Sequence, residues 1–199
     1  MQEHQVTVGN TTRKLPDLFL VMATQNPLEQ TGTYPLPEAQ LDRFLLHVVL
    51  DYPTTEEELE ILKRDQAQHY GEDEPVLSSP LHPDTVLAAR REVAEVHVEE
   101  MLEKYIVELV SATRDLSCIN SDWDDYLVAG ASPRASIALL RASSALAYLR
   151  GRDHVIPEDI IDMAPDVIRH RLIPSYAAKA DGVNCDDIIR GILEKVIIP

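Results

Sequence analysis

Glycine and aromatic residues are scarce in this chain of 199 residues, and positive charge is scarcer than negative. Only seven glycines occur, and none stands in a Gly-x-x-x-x-Gly-Lys-Ser/Thr run, so these residues carry no phosphate loop of that kind. No apolar run ends in paired acids either, the pattern that would hold a magnesium ion beside such a loop. Aromatic residues make up 5%, which leaves a core to be built from Leu, Ile, Val and Ala. The two cysteines, Cys118 and Cys185, match no metal or redox spacing and read as reduced thiols of a cytosolic protein. Eighteen Lys and Arg against 34 Asp and Glu give a formal charge of −16. That excludes a general grip on nucleic acid, which needs basic patches to neutralise phosphates. It leaves room for a local nucleotide pocket, where two or three arginines suffice. No stretch approaches the ~20 apolar residues that cross a bilayer. Met1-Gln2-Glu3-His4-Gln5 lacks the basic and apolar regions of a secretory signal. The expectation is a soluble, cytoplasmic protein with neither membrane insertion nor nucleic-acid binding.

What is present divides into two styles. Gln5-Val6-Thr7-Val8 alternates polar and apolar before the turn chemistry of Gly9-Asn10-Thr11-Thr12, which predicts a hairpin. Leu18 to Ala23 is apolar without a break and ends at Thr24-Gln25-Asn26-Pro27, the pattern of a strand buried on both faces. Leu45 to Leu50 reads as a second such strand, closed by Asp51-Tyr52-Pro53. Beyond that the chain is helical. Thr55-Glu56-Glu57-Glu58 opens a helix as a capping box, running to about His69. Further helices fit Asp84 to Val96 and Glu99 to Arg114. In the latter, Met101-Leu102, Tyr105-Ile106, Leu109-Val110 and Thr113 recur at three- and four-residue spacing. A fourth starts at Pro133 with Ser132 as N-cap, lines one face with Leu139, Ala142, Leu146 and Leu149, and stops at Gly151. A fifth begins at Pro157 and is kinked or split at Pro165. Asn120 to Asp125 begins like a calcium loop, but Asp125 stands where the turn glycine belongs, so it reads as an acidic surface loop. Arg169-His170-Arg171 near a helix end reads as favourable charge at the negative dipole terminus.

Several segments stand in a specific order and spacing: Leu18 to Asn26, Leu36-Pro37-Glu38-Ala39-Gln40-Leu41-Asp42-Arg43-Phe44, Gly130-Ala131-Ser132-Pro133-Arg134-Ala135, Leu149-Arg150-Gly151-Arg152-Asp153, Ile156-Pro157-Glu158-Asp159 and Arg169-His170-Arg171. Together they resemble the MoxR family of AAA+ ATPases over most of the chain. The resemblance implies an α+β, mostly α fold. Residues 1–52 would be the carboxyl-terminal part of an AAA+ α/β core, and residues 53–199 an all-helical lid.

Three residues are candidates for chemistry. Asn26 closes a turn before proline, or its amide orients a water and a phosphate oxygen; the resemblance makes it sensor 1. Arg43 forms an ion pair with Asp42 or Glu38, or meets phosphate charge from a neighbouring subunit; the resemblance makes it the arginine finger, with Glu38 bracing it or touching the neighbour. Arg134 sits in the first turn of a helix, where the dipole disfavours a cation unless an anion shares the site. By resemblance it is sensor 2. The family further implies ATP and Mg²⁺ as cofactors of the intact protein, with none certain for this chain. It also implies a hexameric ring, with Asn26 and Arg134 acting on the subunit's own ATP and Arg43 on the adjacent one. The client would be a protein such as one with a von Willebrand factor A domain. No metal ligand set is expected. The chain alone is expected to be inactive as an ATPase. A non-catalytic helical scaffold that keeps the lid fold is the alternative, and a helicase- or chelatase-type nucleic-acid motor fits the acidic composition poorly.

Overall fold

A computed structural model of the chain describes residues 5–25, 36–69 and 79–198. The hairpin forms as its sequence predicts, with β1 (Gln5–Val8) antiparallel to β2 (Thr11–Lys14) across the Gly9-Asn10 turn. The two apolar runs do not form strands. Residues 15–25 and 46–54 are irregular, and Leu20 and Leu50 are 81% and 89% exposed. A strand exists only through hydrogen bonds to a neighbour. The described sheets, β1–β2 and a second pair further on, are each two-stranded and neither includes these runs. The apolar patterns are those of strands, but their pairing partners are not among the described residues.

Helix formation follows the sequence more closely. A short α1 (Glu38–Leu41) precedes the Arg43 segment. α2 (Thr55–His69) is capped one residue earlier than the sequence suggests, because Thr54 Oγ1 accepts from Glu57 N while Glu57 Oε2 accepts from Thr54 N. Helices α3 (Pro83–Val93) and α4 (Glu100–Ala112) follow. Leu102, Tyr105, Ile106, Leu109 and Val110 of α4 are buried, whereas Met101 faces outward. Asn120 to Asp125 folds around a 3-10 turn at Ser121–Trp123, and β3 (Leu127–Ala129) pairs antiparallel with β4 (Ile173–Pro174).

α5 (Pro133–Leu149) and α6 (Pro157–Ile168) form the centre of the helical unit, completed by α7 (Tyr176–Ala180) and α8 (Cys185–Lys195). The core is Leu, Ile, Val and Ala, with Leu139, Ala142, Ile160, Ile188 and Ile192 buried together. Leu149, placed on the core face by its spacing, is 80% exposed instead. It sits in the last turn of α5, beside the Gly151 cap. Gly151 has φ +74, and its N–H reaches Tyr148 O while Arg152 N–H reaches Ala147 O, the paired bonds of a Schellman stop. Helix α6 is not split at Pro165 but runs through it, since the ring costs one backbone bond while the apolar face keeps both halves on the core. No described helix is long and apolar enough to cross a membrane.

Gly130 marks the closest approach in this unit. A Cβ there would lie 2.2 Å from the carbonyl oxygen of Thr113 and 2.9 Å from Arg114 Cα, both backbone atoms that cannot rotate aside. Gly130→Ala is expected to cost about 1–3 kcal/mol, the usual range for forced overpacking. A urea titration checks this, and an unchanged midpoint would contradict the packing described.

Candidate functional site

The amino terminus of α5 is fixed from below by α4. Buried Thr113 Oγ1 donates to Val110 O and accepts from Ala131 N at 2.9 Å, and Arg114 Nε donates to Ala131 O at 2.9 Å. Ser132 then caps the helix by accepting from Arg134 N at 3.2 Å. These bonds place Arg134 in the first helical turn with its side chain 56% exposed. The anion that a cation at this position calls for is present in the chain itself. Asp42 Oδ2 accepts from Arg134 Nη1 at 3.1 Å and from Ser132 Oγ at 2.9 Å.

Asp42 is held from its other side by Arg171. Its Oδ1 accepts from Arg171 Nε at 3.0 Å, and the Arg171 side chain is only 2% exposed. The same guanidinium donates to the carbonyls of Asp42, Phe44 and Leu45 at 3.2, 2.6 and 3.5 Å, and to Val167 O. A guanidinium has five N–H donors, and all five find acceptors. Two neighbours extend the seam. His47 N donates to Asp166 O and Arg169 Nη1 donates to His47 O, while His170 Nε2 meets Phe44 O at 3.2 Å. Arg169 is itself held by Asp166 and Asp186. Arg169, His170 and Arg171 are therefore docking residues and not merely charge at a helix end. Burial pushes the Asp42 carboxyl up, but bonds from Arg134, Ser132 and Arg171 outweigh it and leave its pKa below the usual carboxylate range.

The sequence candidates separate accordingly. Arg43 lies in the turn after α1, exposed, with its N–H on Gln40 O. Arg134 is bonded to the residue next to Arg43, so segments 92 positions apart in sequence meet through one carboxylate. Glu38 opens α1 at the surface. Asn26 lies outside the described residues. A fully buried carboxylate, Asp159, lies in the Ile156-Pro157-Glu158-Asp159 segment, and its partners Arg150 and Arg152 lie in the segment before it; neither had an assigned role. Arg152 grips it at 2.5 and 2.6 Å, Arg150 adds 2.9 Å, and Ile156 N donates to it at 3.1 Å. It ties the end of α5 to the start of α6, a structural duty. Two arginines and a helix amino terminus suit a phosphate group. Among the described residues, no group of three or more His, Cys, Asp or Glu could hold a metal ion, so magnesium finds no ligand set there.

Comparison with known proteins matches two segments of the chain. Residues 1–46 match the ATPase family associated with various cellular activities (AAA), and residues 122–192 match the AAA lid domain. Chaperone MoxR1 of Mycobacterium tuberculosis is 42% identical over the whole chain and 52% of its own length. YeaC of Bacillus subtilis is 42% identical over the whole chain and 59% of its length, and protein MoxR of Methylorubrum extorquens 29% identical over 60% of its length. A crystal structure of a candidate ATPase from Cytophaga hutchinsonii superposes with a TM-score of 0.87 at 44% identity, over the whole chain and 59% of that protein. The chain thus spans between half and three-fifths of the length of these relatives.

His170 gives the seam a pH dependence. Burial, with Arg171 and His47 adding repulsion, pushes its pKa from 6.5 down to about 4. The unfolded chain therefore takes up a proton between those values that the folded chain refuses, and stability falls as pH drops from about 6.5 towards 4. His170→Gln is expected to flatten that part of the curve in denaturant melts, whereas an identical slope in the variant would show that the histidine is not buried as described.

Proposed function

The chain belongs to the MoxR-type AAA+ ATPases, and on that footing we propose that its native product couples ATP binding and hydrolysis at subunit junctions to the remodelling of client protein complexes. Residues 1–52 are assigned to the end of the α/β core and residues 53–199 to the lid. The exposed apolar runs at 18–23 and 45–50 are core strands awaiting sheet partners from elsewhere in the native product. Asn26 orients the attacking water, and Arg43 and Arg134 meet the charge of the phosphates. ATP and Mg²⁺ are the cofactors of the assembled protein, with the phosphate loop and the magnesium ligands supplied outside these 199 residues. The assembly is a hexameric cytoplasmic ring, and a protein with a von Willebrand factor A domain is the kind of client assigned to it. The name of the M. tuberculosis relative, a chaperone, supports remodelling over nucleic-acid work, as does the net charge of −16.

The observation that carries this reading is the single carboxylate shared between the Arg43 segment and Arg134 at a helix amino terminus. The peptide that carries Arg43 is tied to the helix turn that carries Arg134, beside a dipole that itself favours phosphate. A scaffold would need the Arg171 seam but not the exposed Arg134.

The two readings predict different kinetics. Arg43→Ala in the native product is expected to lower ATP turnover on the order of 10³-fold, while Arg134→Ala weakens ATP binding as well. Residues 1–199 expressed alone should release no phosphate. Turnover within about twofold of wild type in both variants, or brisk hydrolysis by the 199 residues alone, contradicts the proposal.

A further inference from the structure

We propose that Asp42 is a positioning residue for both arginines: anchored by Arg171, it holds Arg134 beside the Arg43 segment until a phosphate group takes Arg134 over. The inference rests on Arg134 meeting phosphate and adds to that reading the group with which phosphate must compete.

The two ion pairs on this one carboxylate are asymmetric. The Arg171 pair is permanent. Its side chain is almost wholly buried, its five donors are all occupied, and four of those five bonds go to Asp42, Phe44 and Leu45. Parting this pair strands a cation away from water. The Arg134 pair is exchangeable. It is a single contact at 3.1 Å from a side chain more than half exposed to solvent, and such pairs are weak. When Arg134 leaves, Asp42 is not orphaned, because Arg171 and Ser132 Oγ still donate to it. A terminal phosphate carries more charge than a carboxylate and accepts a guanidinium through two oxygens, and the α5 dipole favours it further. Asp42 therefore acts as an internal stand-in for the phosphate. It keeps Arg134 ordered and charge-neutralised without nucleotide, and it fixes the peptide that carries Arg43 through the adjacent bond.

This predicts a split that simple destabilisation does not give. Asp42→Asn in the native product keeps the shape of the side chain and removes the competing charge. ATP is then expected to bind about two- to fivefold more tightly, the range spanned by an exposed ion pair. The turnover number is expected to fall by about tenfold or more, because the Arg43 segment loses its register. The tightening should vanish in an Arg134→Ala background. Unchanged or weaker binding by folded Asp42→Asn overturns the proposal. If Asp42→Asn fails to fold, Asp42→Asn with Arg171→Met removes the buried cation together with its partner, and the same tightening is expected. Loss of folding in both would make Asp42 a structural tie only and also overturns the assignment. Arg134→Ala alone separates this inference from the reading beneath it. If that variant binds ATP like wild type, Arg134 does not meet phosphate. If it binds more weakly while Asp42→Asn fails to tighten, only the exchange is wrong.

Discussion

The buried guanidinium of Arg171 is the interaction on which the arrangement of this chain depends. Removing a cation from water is costly unless its charge and every donor are satisfied. Here four of the five acceptors come from a segment 126 to 129 residues away in sequence. The requirement works in both directions. Arg171 cannot be buried unless residues 42–45 lie across it, and those residues have no regular secondary structure of their own to fix their path. A short irregular stretch is held by side-chain-to-backbone bonds to one arginine, reinforced by the two residues before it, Arg169 and His170. The position of Arg43, the first residue past the carboxylate, is thus set from within the helical unit.

A second buried charge of opposite sign serves the helical unit itself. Asp159 is fully enclosed, gripped in a fork by Arg152 and again by Arg150. Hydrogen bonds from these arginines and from Ile156 N hold its carboxyl below the usual range against the upward push of burial. It joins the Schellman stop of α5 to the first turn of α6, so these two helices meet at a fixed angle. One centre thus sets the internal geometry of the lid and the other docks the preceding segment onto it. Between them lies the α5 amino terminus, where Arg134 is exposed enough to exchange partners while its backbone is fixed by Ser132 and Thr113.

The legibility of these features in sequence follows the range of the interactions involved. The α4 stripe, the Ser132 cap and the Gly151 stop are local, with each signal within about four residues of its consequence, and each forms as its pattern suggests. The runs at 18–23 and 45–50 are legible as strand-like but not as strands, because pairing is a property of a neighbour and not of the run. The role of Arg171 left no local mark, since a basic triplet near a helix end looks like dipole compensation whether or not one of its members is buried. One signal was available. Arg169-His170-Arg171 and Leu41-Asp42-Arg43 both belong to the segments that carry the family resemblance, and an acid in one with a cation in the other invites the pairing. Arg134 was singled out because a cation at a helix amino terminus needs an anion, and the structure supplies that anion as Asp42.

The most direct test of the account is a structure of the native product bound to a non-hydrolysable ATP analogue. The account predicts that Asp42 remains on Arg171 while the Arg134 guanidinium has left Asp42 for a phosphate oxygen. Arg134 still on Asp42 with nucleotide in place, or Arg171 withdrawn from the Asp42 segment, would contradict it.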